Sequence, residues 1–176
     1  MNLKDLKKPL QIKDIDFRVQ SVNKGGYATI LAYKDARVDM NRLDEVVGAE
    51  YWKREHFDNN TRCKVSVWNE KIQQWINKED VGTPSNTEAQ KGLASDSFKR
   101  ACFNWGIGRE LYDYPIIQIK LTDNEFDKAT KKVTWNFKLK EWVWFSQFND
   151  GKLLYLACKD NLGKARFSFG KYVKPE

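Results

Sequence analysis

Apolar positions recur along the chain in two rhythms, one of period two and one of helical spacing. Phe17 to Val22 and Tyr27 to Tyr33 are rich in β-branched and aromatic residues. Between them, Asn23-Lys24-Gly25-Gly26 supplies the glycines that a tight turn needs, so the pair predicts a β-hairpin. Met40, Leu43 and Val47 then repeat at helical spacing, with Asp39 as candidate N-cap and Gly48 placed to end the helix. Cys63, Val65 and Val67 alternate with Lys64, Ser66 and Trp68, as in a half-buried strand. Asn69-Glu70 turns this strand into Ile72–Ile76, a second hairpin.

Val81-Gly82-Thr83-Pro84 breaks the strand pattern, and Ser85-Asn86-Thr87-Glu88 has the spacing of a capping box. A helix is predicted from there to about Trp105, ending at Gly106. Ala94, Phe98, Ala101, Cys102 and Trp105 form its apolar stripe, while Gly92, Asp96, Lys99, Arg100 and Phe103 fall on the opposite side. Beyond Tyr112-Asp113-Tyr114-Pro115 the period returns to two. Val133, Trp135, Phe137 and Leu139 alternate with Thr134, Asn136, Lys138 and Lys140, which predicts a strand with the lysines on its wet face. A last hairpin pairs Leu153–Cys158 with Ala165–Phe169 across Asp160-Asn161-Leu162-Gly163. There is no repeat, low-complexity linker or break in composition. The expected fold is α+β, a single domain over 1–176: a meander-like antiparallel sheet with a long helix packed on one face.

Composition narrows the function classes. Hydrophobic residues at 41% and charged residues at 31% are those of a chain that folds around a core. No apolar run approaches the roughly 20 residues needed to cross a bilayer. The segment Met1 to Pro9 lacks the apolar stretch of a signal peptide, so a cytoplasmic location and no membrane partner are expected. Cys63, Cys102 and Cys158 are odd in number and far apart, and one histidine, His56, completes no zinc spacing with them; reduced core cysteines are expected. Lys plus Arg outnumber Asp plus Glu by 31 to 24, a net charge of +7 that favours a polyanionic partner. Seven Trp and seven Tyr could stack on unpaired bases, although most such rings belong in a core.

Enzymatic readings fail in turn. No glycine-rich loop carries a Lys-Ser or Lys-Thr pair, and Gly106-Ile107-Gly108 lacks the third glycine of a dinucleotide fingerprint. His56 stands in no nucleophile motif. Asp150-Gly151-Lys152 is a fragment of a two-metal nuclease pattern, but it reads better as a hairpin turn. No catalytic residue, metal or cofactor is expected. Binding is what these residues support.

Two blocks carry a resemblance. Tyr33-Lys34-Asp35-Ala36-Arg37-Val38-Asp39-Met40-Asn41-Arg42-Leu43-Asp44-Glu45-Val46-Val47-Gly48, followed by Tyr51-Trp52, is the first. The second runs Lys91-Gly92-Leu93-Ala94-Ser95-Asp96-Ser97-Phe98-Lys99-Arg100-Ala101 and continues as Asn104-Trp105-Gly106-Ile107-Gly108-Arg109-Glu110-Leu111-Tyr112. Together they resemble the Rad-fifty-two superfamily of single-strand annealing proteins, most closely its phage and bacterial Sak-type and DdrA-type members. The similarity covers about residues 17–115, leaving additional strands over 116–176. It implies a β-β-β-α core that assembles into a ring or helical homo-oligomer. It further implies ATP-independent binding and annealing of single-stranded DNA in recombination and repair, without cofactor. A passive single-strand protector is the alternative. Phage origin would make a phage exonuclease or a single-stranded DNA-binding protein candidate partners and place the chain in the bacterial host cytoplasm. The tail that recruits partners in larger relatives is not evident, so recombinase loading is not expected.

The resemblance implies DNA-facing roles for Lys99 and Arg100 on the helix and for Arg37 at the strand end, and Arg109 and Lys91 join them as candidates. Each has a plainer reading. Lys99 and Arg100 could be a solvated face, with Asp96 pairing Arg100 one helical turn away. Arg37 could bridge to Asp35 or Asp39, Arg109 could serve a subunit contact, and Lys91 could snorkel. Gly92 favours close approach of a backbone on the basic side. Trp52, Trp105 and Ile107 read as core. Leu93 and Glu110 depart from the family pattern, which expects a second glycine and an aromatic there; Tyr112 or Tyr114 could substitute for the latter.

Overall fold

The computed structural model describes residues 2–83 and 89–174, with the side chains of 89–91 left out. The capping box at Ser85-Asn86-Thr87-Glu88 lies outside the described residues. In chain order the elements are β1 (Asp16–Val22), β2 (Tyr27–Tyr33), α1 (Ala36–Val47), β3 (Trp52–Phe57), β4 (Arg62–Asn69), β5 (Gln74–Val81) and α2 (Ala89–Trp105). Then follow β6 (Ile117–Lys120), β7 (Phe126–Asp127), β8 (Lys132–Val133), β9 (Val143–Asn149), β10 (Lys152–Lys159) and β11 (Ala165–Gly170). The fold is mixed, with antiparallel sheets and two α-helices among the described residues. None of its helices is long and apolar enough to cross a membrane. The strands do not form one meander. They pair as β1-β2-β6, β3-β4-β5, β11-β10-β9 and the small ladder β7-β8.

The chain divides into two compact units. The first comprises residues 1–10 and 34–109 and contains a β-β-β-α arrangement, with α2 packed on β4 and β5. Cys63, Val65 and Val67 of β4 are buried at 0, 0 and 1% exposure, which is the alternation that marked them as a strand. Phe98, Ala101, Cys102 and Trp105 meet them from α2, and Trp105 donates its indole N–H to the Val65 carbonyl at 3.1 Å. Trp52 is only half-buried and donates to Asp44. Gly82 lies hard against α2: a Cβ there would stand 2.5 Å from the Ser97 backbone nitrogen. Gly106 ends α2 with φ +107°. Its N–H bonds the Phe103 carbonyl and the Ile107 N–H bonds the Cys102 carbonyl, the paired bonds of a Schellman motif.

Asp39 is not the N-cap of α1. The helix begins earlier, and Asp35 caps it by accepting from the Arg37 N–H at 2.9 Å. Asp39 points inward from the first turn, at 0% exposure, and pairs with the buried Lys34. The strand β3 escaped the sequence reading because its middle, Lys53-Arg54-Glu55, is charged; it is an edge strand paired only with β4.

The second unit comprises residues 11–33 and 110–176. Its core gathers Ala28, Ile30, Ile117, Ile119, Trp142, Trp144 and Leu156, among others, and Phe17 stacks on Trp144 at 3.6 Å. The expected strand over Val133–Leu139 is not formed. Only Lys132–Val133 is extended in a ladder; beyond it Trp135 is 82% exposed, Phe137 is buried in irregular chain and Leu139 is buried at the start of a short 3-10 helix, Leu139–Glu141. Thr134 and Asn136 explain the difference, since both side chains donate to the Asn124 carbonyl and fold the segment onto its own loop. Consequently Lys138 and Lys140 are not the wet face of a strand, and Lys138 pairs with Glu141 at 3.6 Å. Asp150 and Gly151, at φ +47° and +76°, make the two-residue turn between β9 and β10. The three cysteines are free and buried.

Candidate nucleic-acid interface

Arg37 and Lys99 both act on Asp35, the cap of α1, Arg37 by direct contact and Lys99 through its charge. The Arg37 guanidinium reaches back to Asp35 at 2.8 Å, with its side chain 82% exposed. Those Arg37 hydrogen bonds, helped by the charge of Lys99, hold the Asp35 carboxyl below the usual carboxylate range. Lys99 is half-buried on α2 and acts electrostatically on both Asp35 and Asp39. Burial pushes Asp39 up to about 6, while Lys34 pulls it the other way. Three cations thus face two carboxylates. Lys34 is consumed internally by Asp39, and Arg37 pairs with Asp35. That excess of positive charge sits at a helix N-terminus, itself electropositive, where an added anion is stabilised.

Arg100 takes a different direction. It is exposed and reaches Asp80 at the end of β5, with Nη2 to Oδ1 at 3.3 Å. Asn104 donates to the same carboxylate, so Asp80 is shared. The alternative pairing of Arg100 with Asp96 is not the one formed. Asp96 instead accepts from the backbone and hydroxyl of Thr83, which ties the chain before α2 to the helix.

Arg109 closes the other end of α2. Its Nε donates to the Phe103 carbonyl at 2.8 Å and its Nη2 to the Asn104 carbonyl at 2.9 Å. Its guanidinium also lies 5.5 Å from the Phe103 ring centroid. Lys78 donates to the same Asn104 carbonyl at 2.7 Å. Burial, and then the charges of Arg109 and Lys7, push the Lys78 pKa down. Cations at the carbonyl end of a helix complement its negative pole. The backbone of Lys91 is in α2, and its side chain lies outside the described residues. Glu110 is buried at 6% exposure, whereas Tyr112 is 74% exposed and Tyr114 half-buried.

The five candidates therefore do not form one uniform stripe. Arg37 reaches the start of α1, where the charge of Lys99 is also felt, Arg100 leans on β5, and Arg109 caps the end of α2. Asp80 and Lys78 were not found from the sequence, because each reaches its partner through tertiary contact, and Lys34 was not, because its pairing depends on Asp39 turning inward. Asp35 entered the sequence reading only as a salt-bridge partner for Arg37, although an acidic residue two before Arg37 has the spacing of a helix cap. Among the described residues, no group of three His, Cys, Asp or Glu side chains could hold a metal ion.

No curated protein matches the chain. The family model described as Rad52/22 family double-strand break repair protein matches residues 2–131. That span takes in the whole α1–β3–β4–β5–α2 segment with both basic clusters of α2, so the chain belongs to the Rad52/22 family, whose work is DNA repair and recombination.

Proposed function

We propose that this protein binds single-stranded DNA along α2 and the first turn of α1, and anneals complementary strands without ATP or any cofactor. Lys99, Arg100, Arg37, Arg109 and Lys91 carry the phosphate contacts. The direct contact of Arg37 with the cap of α1, where the charge of Lys99 on α2 is also felt, is the observation that supports this most, together with the family match. Pairing of two strands is driven by their bases, so the protein need only neutralise phosphates, hold the backbone extended and leave base edges open. Phosphate contacts read no sequence, and binding is accordingly sequence-independent.

The further reading is of a Sak-type or DdrA-type, phage-encoded recombination protein whose residues 1–176 act as one annealing module in a ring or helical oligomer. The edge strands β3 and β5 give such an assembly open hydrogen-bonding edges. A phage exonuclease or a single-stranded DNA-binding protein would be the natural companion. The deciding experiment mixes two complementary oligonucleotides with the protein in EDTA and no ATP. Annealing faster than the protein-free rate is expected. Binding that slows annealing would identify a passive protector, and a requirement for ATP or a divalent metal would overturn the reading.

A further inference from the structure

Four lysines line one cleft of the second unit, far in sequence from α2. The cleft is about 380 Å³ and is walled by Lys24, Lys120, Lys128 and Lys131, with Gly25, Gly26 and Phe126 among its other residues. The cations come from three separate pieces of chain: Lys24 from the β1–β2 turn, Lys120 from the end of β6, and both Lys128 and Lys131 from the β7–β8 connection. The one carboxylate in the lining, Asp123, is 3.4 Å from Lys128. Four positive groups against one negative leave three positive charges in excess. All four lysines are exposed to solvent, Lys120 with its ammonium on the Gly25 carbonyl and Lys128 with its ammonium beside Asp123.

The walls are braced rather than loose. Asn23 accepts from the N–H groups of Gly25 and Tyr27 and so shapes the β1–β2 turn. Gly26, at φ +71°, lets the Phe126 ring lie against that turn, where a Cβ would stand 3.3 Å from the ring. The Leu121 N–H donates to the Gly26 carbonyl at 2.9 Å. Lys120 donates to the Gly25 carbonyl and lies 4.6 Å from the Tyr27 ring centroid, so its head is held at the cleft mouth. Behind it, the largely buried Arg166 donates to the Lys120 carbonyl and to both oxygens of Glu125. Glu125 in turn accepts from the Thr122 N–H at 2.8 Å, which fixes the loop between β6 and β7.

We propose that this cleft is a second binding site for the phosphodiester backbone of single-stranded DNA, separate from the basic residues of α2. It rests on the function proposed above and adds to it a contact in the second unit. Tyr27 is not part of the cleft lining and the one ring that is, Phe126, packs against Gly26, so the cleft offers charge rather than a stacking face. Its contribution is therefore independent of sequence and strongly dependent on salt.

The test uses the full chain and oligo-dT. Lys128→Ala with Lys131→Ala removes two exposed charges from the cleft, and Lys13→Ala with Lys140→Ala removes two from elsewhere in the same unit. Equal thermal midpoints establish that both variants fold. The cleft variant is expected to bind more weakly and to lose about 1.4 from the log–log salt slope, at about 0.7 per phosphate, while the control keeps the wild-type slope. A cleft variant that matches wild type, or a control that loses as much, overturns the proposal. Should wild type bind no single strand, the reading of function fails and the cleft with it. Should Lys99→Ala with Arg100→Ala weaken binding while the cleft variant does not, the cleft alone is wrong.

Discussion

Replacing Asp39 with alanine should be among the most damaging single changes in the first unit. Asp39 is 0% exposed and Lys34 is 7% exposed, and each side chain is the other's ionic partner. The Lys34 stem has little room to swing outward, because the backbone at Gly108 crowds it: a Cβ there would be 2.5 Å from Cε. Removing the carboxylate leaves a buried ammonium unpaired. Breaking a buried pair in this way costs about 3–5 kcal/mol, a large part of the roughly 5–15 kcal/mol that holds a domain folded. Replacing both partners by apolar residues, as in Lys34→Met with Asp39→Leu, removes the desolvation cost along with the attraction and should lose far less. Urea unfolding at pH 7 compares wild type, the single variant and the double variant at constant m. The pH dependence adds a second readout. Asp39 keeps its proton up to about 6 when folded, against 3.8 when unfolded, so folding takes up a proton between those values. That contribution is fully present below pH 3.8 and is lost as pH rises through about 6. The double variant should lack this decline. A loss below about 1 kcal/mol for Asp39→Ala, or a double variant as unstable as the single, would refute the reasoning.

Asp35→Ala removes the cap of α1 and should cost about 1 kcal/mol, whereas Arg37→Ala should stay within about 0.5 kcal/mol of wild type in stability yet bind DNA more weakly. Chemical denaturation and fluorescence anisotropy on the same two variants separate these effects, and equal DNA affinity for Arg37→Ala and wild type would remove Arg37 from the interface. Gly82→Ala should destabilise by about 1–3 kcal/mol, since the new methyl meets the backbone of α2 at 2.5 Å and the helix must shift. A thermal midpoint equal to wild type would show that the β5–α2 approach has slack.

Much of the first unit was legible because burial there follows local rhythm. The stripe on α2 and the alternation on β4 are faces buried against each other, so spacing alone located them. Where side-chain bonds to distant backbone decide the path, rhythm misled. The segment from Val133 to Leu139 alternates like a strand, yet Thr134 and Asn136 spend their side chains on the Asn124 carbonyl. For α1, helical spacing pointed to Asp39 as the cap, but the helix begins earlier and Asp35 caps it. Asp39 went inward because Lys34 was buried there to receive it. The basic pair on α2 was found, but not that Arg100 would lean on Asp80, twenty residues earlier in β5. The cleft lysines were missed for the same reason, since Lys24 and Lys120 become neighbours only through the pairing of β2 with β6.

The central claim is that α2 and the start of α1 hold the backbone of single-stranded DNA. Its most direct test is the salt dependence of oligo-dT binding for wild type and for Lys99→Ala with Arg100→Ala. The account predicts affinity that falls steeply with salt for wild type, and a double variant that folds normally, binds much more weakly and loses about 1.4 from the slope. A double variant with wild-type affinity and slope would contradict it.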